Sequence, residues 1–357
     1  MLHVIIALIE DKVKGIIAMN ELETIRKRFP GISCAYRDEA GKVTTKCFGF
    51  ADKGANIPVD ENTAFPACSI SKFITAICIM KESEKSLIDI EKPVNLYLNN
   101  WKLLTSSGEE SDASIRSLLS HTSGIIDGED GFYGLRRNDP PVSLLDVLDG
   151  KTSYNNRQAR SVNPQGTSFE YSDAGFCVLQ LLLEELEQKP YEVIADELIF
   201  APLELKNSFF ASLGNLADYE HKIVMATGYD ENGIAIPGKF PQMPDLAASG
   251  LWSTPKELIK IAREFTAACN GESNLLKVGS ALEMTKPSER FPWVGLGIFM
   301  DGENKLSISG WGENGQSGLK FNYRTGEAAV VMVNQNPGVE QSESGVEWLI
   351  NNGNTIE

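Results

Sequence analysis

Ser69 and Lys72 stand three residues apart at the start of an apolar run. Within it Phe73, Ile77 and Met80 fall on one stripe, with Ile74 beside it. That spacing predicts a helix. On a helix, residues i and i+3 share a face, so the Lys72 amine can reach the Ser69 hydroxyl. Both groups would sit at the positive end of the helix dipole among apolar neighbours, which disfavours an ammonium and makes Lys72 a better base. A serine with an adjacent amine base is one way to activate a hydroxyl for acyl transfer. The pattern alone is weak, because Ser253-Thr254-Pro255-Lys256 and Ser317-Gly318-Leu319-Lys320 repeat it. The first copy reads as a helix start, with Thr254 as cap, Pro255 at the first helical position and Glu257 completing a capping box. The second lies in a Gly-rich turn leading into a strand-like run. Only the Ser69 copy opens a long apolar helix.

The elements that must position this pair follow from the patterning. Residues 4–28 read as a helix ended by Pro30-Gly31. Strand-like runs Ile32–Arg37 and Val43–Ala51 flank Glu39-Ala40-Gly41-Lys42, a hairpin signal. From about residue 85 to 245 the pattern is helices and irregular loops, including Ile115–Leu119, Leu144–Leu148 and Gly175–Glu187. After a helix at Pro255–Ala268 come strand-like Val294–Met300, Leu306–Trp311, Leu319–Tyr323 and Ala328–Asn334, then a last helix, Ser344–Asn351. Strands at both ends with helices between predict an α+β fold: one antiparallel sheet completed by the two termini and flanked by terminal helices, plus an all-helical subdomain. The expected division is 1–64 with 246–357 for the sheet and 65–245 for the helices, one catalytic unit with the site between them.

Composition narrows the function. A chain of 357 residues with 42% hydrophobic and 23% charged residues can bury an enzyme-sized core. A formal net charge of −16, with no basic run to offset it, argues against nucleic acid or an anionic membrane as partner. Cys34, Cys47, Cys68, Cys78, Cys177 and Cys269 include no C-x-x-C pair and mostly sit in apolar runs. They read as buried free thiols rather than disulfides or a zinc site. The apolar run near Met1 is too short for a transmembrane helix and lacks the basic leader of a secretory signal. The expected location is cytoplasmic.

Several stretches, in order, resemble the serine β-lactamase and penicillin-binding-protein superfamily, in its class C β-lactamase, DD-peptidase and esterase branch. They are Phe65-Pro66-Ala67-Cys68-Ser69-Ile70-Ser71-Lys72; Leu118-Leu119-Ser120-His121-Thr122-Ser123-Gly124; and Pro164-Gln165-Gly166 followed by Phe169-Glu170-Tyr171-Ser172-Asp173. Pro202-Leu203-Glu204-Leu205-Lys206 and Ala247-Ala248-Ser249-Gly250-Leu251-Trp252-Ser253-Thr254 also match family patterns. The resemblance implies a β-lactamase/transpeptidase-like fold and a serine hydrolase working through an acyl-enzyme, without metal or cofactor. It makes Ser69 the nucleophile, Lys72 its partner base and Tyr171 a second proton-transfer group. Which of Lys72 and Tyr171 is formally the base stays open. Two literal Tyr-x-Asn triplets are set aside: Tyr97-Leu98-Asn99 follows Lys92-Pro93 in a segment resembling the family's surface turn, and Tyr154-Asn155-Asn156 lacks the flanking Pro-x-Gly and the apolar helix that follows Tyr171. His121, by the same resemblance, is structural rather than the base of a Ser-His-Asp triad.

The chain departs from the family pattern in two places. Where Lys-Thr-Gly or His-x-Gly is usual on the edge strand, it has Ser309-Gly310-Trp311-Gly312-Glu313-Asn314-Gly315. Trp311-Gly312 resembles the Trp-Gly-Gly of some esterases, and the cation that grips a substrate carboxylate is missing. This edge, near 311–314, is expected to supply an oxyanion donor beside the Ser69 N–H. The second departure is Asp173 where Asn is usual; an ionised Asp accepts hydrogen bonds but donates none. Asp173 either faces the substrate, with Glu313 on the opposite wall, and selects an amine, or caps the helix that follows. The expected substrates are small esters, amides or short peptides rather than β-lactams. The alternative is a catalytically weakened protein that binds a peptide or cell-wall fragment. Oligomeric state is left open.

Overall fold

The structure, a computed structural model, describes residues 18–355 apart from 130, 213 and 289. The predicted helix over 4–28 is present over 18–28; its earlier part lies outside the described residues. Strands follow in chain order as β1 (Gly31–Arg37), β2 (Val43–Asp52), β3 (Ile57–Pro58) and β4 (Phe65–Cys68). Then come the short β5 (Leu104–Thr105), β6 (Arg160–Ser161), β7 (Phe209–Phe210) and β8 (Leu251–Ser253). The chain closes with β9 (Phe299–Met300), β10 (Lys305–Gly312), β11 (Gly315–Asn322) and β12 (Ala328–Val333).

Seven of these form one antiparallel sheet in the order β3-β2-β1-β12-β11-β10-β9. The first and last strands of the sequence are neighbours, with Ile32 opposite Val333 and Arg37 opposite Ala328. Side chains alternate across a strand. Ile32, Cys34 and Tyr36 with Val331 and Val333 therefore face the terminal helices, meeting Leu22, Ile25, Val346 and Leu349. Ala35, Val330 and Met332 face the other way, into the main core with Ile308, Leu319 and Phe321. The fold class is α+β, as the patterning predicts.

Three expectations need correction. The stretch 65–245 is not all helical: β4 pairs with β8 and β8 with β7 in a separate three-stranded sheet, and β5 pairs with β6. Only Phe299–Met300 of the expected Val294–Met300 run is a strand. The last helix, expected over Ser344–Asn351, runs over Val346–Asn352: Ser344 ends a separate short helix, Gln341–Ser344, and Gly345, with a φ of 98°, parts the two.

The Ser71–Glu84 helix is the axis of the molecule. It is buried on every side from Ser71 through Met80, not along one stripe, as expected of a helix apolar all round. Phe73 meets Phe265 of the Pro255–Cys269 helix and Phe321 of β11, at ring-centroid distances of 5.2 Å and 6.0 Å. The Pro255–Cys269 helix begins where read from sequence, with Thr254 Oγ1 accepting from Glu257 N–H, but the Glu257 carboxylate does not close the expected capping box: it accepts from Asn207 N–H and Ser208 Oγ instead. At the helix's leading end, β4 lies against β10 and β11 with no room between. A Cβ on Gly310 would sit 2.6 Å from Ala67 O and overlap Ser317 Oγ. Gly310→Ala should therefore destabilise the protein by about 1–3 kcal/mol, the usual cost of overpacking. Urea denaturation would measure this, and an unchanged midpoint would refute the packing argument.

Candidate active site

β4 delivers Ser69 through a strained corner. Cys68 adopts a φ of 48°, a left-handed conformation uncommon for a non-glycine residue. Its surroundings hold it there: Ser71 Oγ donates to Cys68 O at 2.6 Å and Ser317 Oγ donates to Ala67 O at 2.6 Å. The corner ends the strand and starts the helix, so Ser69 stands at the helix entrance with Lys72 one turn on.

Lys72 is 2% exposed. Its Nζ donates to Ser69 Oγ at 3.2 Å and to Ala248 O at 2.9 Å, and lies 2.5 Å from Asp173 Oδ1. Ala248 belongs to the short Leu246–Ser249 helix. The sequence argument for a depressed lysine pKa fails here. Burial does push it down, but the Asp173 carboxylate, followed by Tyr171, outweighs burial and raises it above its ordinary value. Lys72 rests as an ammonium.

Tyr171 completes the group. Lys72 Nζ lies 4.8 Å from its ring centroid. Burial of the hydroxyl end raises its pKa although Lys72 opposes this, so the phenol stays protonated. The ring stacks on His121 at 4.3 Å. His121 Nδ1 in turn accepts the Ser172 N–H at 3.1 Å. Burial, reinforced by Lys72, holds the imidazole well below its usual pKa; it is a neutral bracket for Tyr171.

Asp173 is neither a cap nor free for a ligand. The cap of the Asp173–Glu187 helix is Ser172, whose Oγ accepts from Gly175 N–H at 2.9 Å. Asp173 instead turns to Lys72, leaving 24% of its side chain exposed. Trp311 also departs from expectation. Gly310 and Gly312 face Cys68, where added Cβ atoms would stand 3.0 Å from its Cβ and 3.1 Å from its Sγ. Trp311 between them points the other way, donating from Nε1 to Asn336 Oδ1 at 2.7 Å. Glu313, in the β10–β11 turn, is paired with Arg136 at 2.6 Å. The two carboxylates therefore do not leave an open amine site.

Sequence reasoning missed two further aspartates. Asp127 accepts from Ser172 Oγ at 2.7 Å and from the N–H of Asp173 at 2.5 Å. Asp245 is fully buried, accepts from Tyr154 OH at 2.6 Å, and has no partner on Oδ2 among the described residues. Burial, then the charge of Asp173, raises Asp127 to about 6 and Asp245 to about 7. Both follow or precede matched motifs, Ser123-Gly124 and Ala247–Thr254, but no local spacing marks them.

The α+β framework of this topology defines the class: the β-lactamase/transpeptidase fold. The Beta-lactamase family model matches residues 5–349, and the chain belongs to that family. It is 26% identical over 205 residues to a putative penicillin-binding protein, PbpX, of Bacillus subtilis (strain 168), covering 57% of this chain and 46% of that one. It is 27% identical over 169 residues to esterase EstB of Burkholderia gladioli, covering 46% of this chain and 43% of that one. The chain thus spans about half the length of these curated relatives. An octameric penicillin-binding protein homologue from Pyrococcus abyssi superposes with a TM-score of 0.75 at 23% identity, over 95% of this chain and 76% of that one.

Asp245 gives a stability signature. Its pKa is higher folded, about 7, than its ordinary value of 3.8, so the native state binds more protons between those limits and stability falls as pH rises through them. The slope should be at most ~1.4 kcal/mol per pH unit. In Asp245→Asn this contribution to the slope should vanish, flattening the pH dependence of denaturation midpoints. An unaltered slope would show that Asp245 ionises normally.

Proposed function

We propose that the protein is a serine hydrolase that forms an acyl-enzyme at Ser69 from small esters, amides or short peptides. The observation that carries this reading is the Lys72 Nζ–Ser69 Oγ contact of 3.2 Å at the helix entrance, with the Tyr171 ring 4.8 Å from Lys72 Nζ. The family membership and the relative named as an esterase support it.

The proton path follows from the charges. An ammonium donating to three acceptors has no lone pair, so the reactive form is the fraction in which Lys72 is neutral. The neutral amine takes the Ser69 proton as Oγ adds to the carbonyl. The Ser69 N–H and the open edge of β10 near 311–313, beyond the reach of β9, which pairs only with Leu306 and Ser307, receive the oxyanion. On collapse Tyr171, a phenol, protonates the leaving atom and is recharged by Lys72. Water then repeats the sequence to free the acid.

Ser69→Ala and Lys72→Ala should each lower kcat/KM for p-nitrophenyl acetate on the order of 10³-fold or more. A fluorophosphonate should label Ser69, read by peptide mass spectrometry; labelling elsewhere in an active preparation would overturn the assignment.

Because Asp173 holds Lys72 protonated, kcat/KM should climb towards alkaline pH. Removing the carboxylate in Asp173→Asn leaves burial dominant, lowers the Lys72 pKa and moves the rising limb to lower pH by at least about one unit. A limb that stays in place means that Asp173 does not govern Lys72.

Short p-nitrophenyl esters should outrun nitrocefin. Ser309–Gly312 supplies no cation for the lactam carboxylate, and the loss of one charge-assisted hydrogen bond costs about ten- to a hundredfold in affinity. Faster nitrocefin turnover would reverse this ranking.

A further inference from the structure

The stretch 132–136 is tied to both sides of the Ser69 cleft. Just upstream, Asp127 is bonded to Ser172 and Asp173, on the side that carries Tyr171. From beneath, Phe132 and Leu135 are buried. The Phe132 N–H donates to Tyr154 O at 2.5 Å, and Gln242 donates from its N–H to Leu135 O at 3.2 Å and from Nε2 to Arg136 O at 3.0 Å. On the far side, Glu313 uses both carboxylate oxygens on the stretch: Oε1 accepts the Gly134 N–H and Oε2 pairs with Arg136 Nη1, each at 2.6 Å. Glu313 lies in the two-residue turn between Gly312 and Gly315, and Gly312 abuts Cys68, the residue before Ser69. Tyr133, beside Gly134, keeps 55% of its surface exposed.

We propose that Glu313, by clamping Gly134 and Arg136, fixes Tyr133 as a wall on the acyl side of Ser69 that confines substrates to short acyl groups. The inference rests on Ser69 being the nucleophile. The leaving atom must depart beside Tyr171, the group that protonates it, and the carbonyl oxygen turns to the Ser69 N–H. The acyl chain then extends away from Tyr171, towards the Glu313 turn, which holds Gly134 beside Tyr133. Besides burial, the groups that raise the Tyr133 pKa are Asp173, Glu313 and Cys68, from both walls of the cleft. Glu313 thereby acquires a role different from the amine contact expected of it: it sets the size of the site.

The test compares kcat/KM for p-nitrophenyl acetate and octanoate in the wild type, Tyr133→Ala, Tyr133→Phe and Arg136→Ala, each checked by circular dichroism and melting temperature. The octanoate-to-acetate ratio should rise at least about tenfold in Tyr133→Ala, in keeping with the discrimination a pocket wall gives against added methylenes. It should rise in the same direction in Arg136→Ala, where the ring loses its clamp, and stay at the wild-type value in Tyr133→Phe, because the ring is the obstacle. An unchanged ratio in folded Tyr133→Ala and Arg136→Ala overturns the wall. Labelling with an ethyl and a dodecyl fluorophosphonate separates the two readings. If the ethyl probe labels Ser69 and Tyr133→Ala gives the dodecyl probe no advantage, the wall alone falls. If neither labels Ser69 in any variant, the nucleophile falls and the wall with it.

Discussion

A cation buried to 2% exposure is the constraint around which the site is arranged. Removing an ammonium from water costs several kcal/mol unless every N–H finds an acceptor and a counter-charge lies close. Lys72 meets that requirement with one group from each of three chain segments: Ser69 from its own helix entrance, Ala248 O from the Leu246–Ser249 helix, and Asp173 from the head of the Asp173–Glu187 helix. Apart from Ser69, none of them is near Lys72 in sequence. The lysine therefore fixes their relative positions, and losing any one leaves a buried charge short of a partner.

The negative charge gathered to satisfy Lys72 has its own consequences. Burial first, and then the charge of Asp173, pushes Asp127 and Asp245 towards their protonated forms. Asp127 still accepts N–H groups at the helix start, where a carboxylate is favoured, whereas Asp245 accepts from the Tyr154 hydroxyl. The site thus holds carboxylates of graded acidity around one cation. His121 remains neutral in their midst because burial and Lys72 both oppose its charging, which leaves Nδ1 free to hold the backbone that presents Tyr171.

Local rules made some of this legible. The apolar run after Lys72 predicted the helix, and Thr254-Pro255 with Glu257 marked another helix start to the residue. Alternation and turn residues located most strands of the sheet. What failed depended on partners distant in the chain. The charge state of Lys72 is decided by Asp173, about a hundred residues away, so the helix dipole and apolar neighbours gave the wrong sign. Ser172 and Asp173 are both favoured cap residues, and only the pull of Lys72 on Asp173 assigns the cap to Ser172. Trp311 was readable in principle: glycines on either side are needed where β10 touches Cys68, and period-two alternation then turns the tryptophan away.

The neighbouring positions of β1 and β12 bear on how the molecule assembles. Residues 31–37 pair with 328–333, so the central seam of the sheet joins strands separated by most of the chain. Contacts of such long sequence separation carry a loop-closure cost before they return any stabilisation, and high contact order slows folding. During synthesis the β1–β2 hairpin emerges early and must wait, with one edge unpaired, until β12 leaves the ribosome. For that interval the nascent chain exposes a strand edge of Ile, Cys, Ala and Tyr side chains, a surface prone to aggregation. Production at lower temperature or with chaperone support addresses that interval, rather than any weakness of the finished fold.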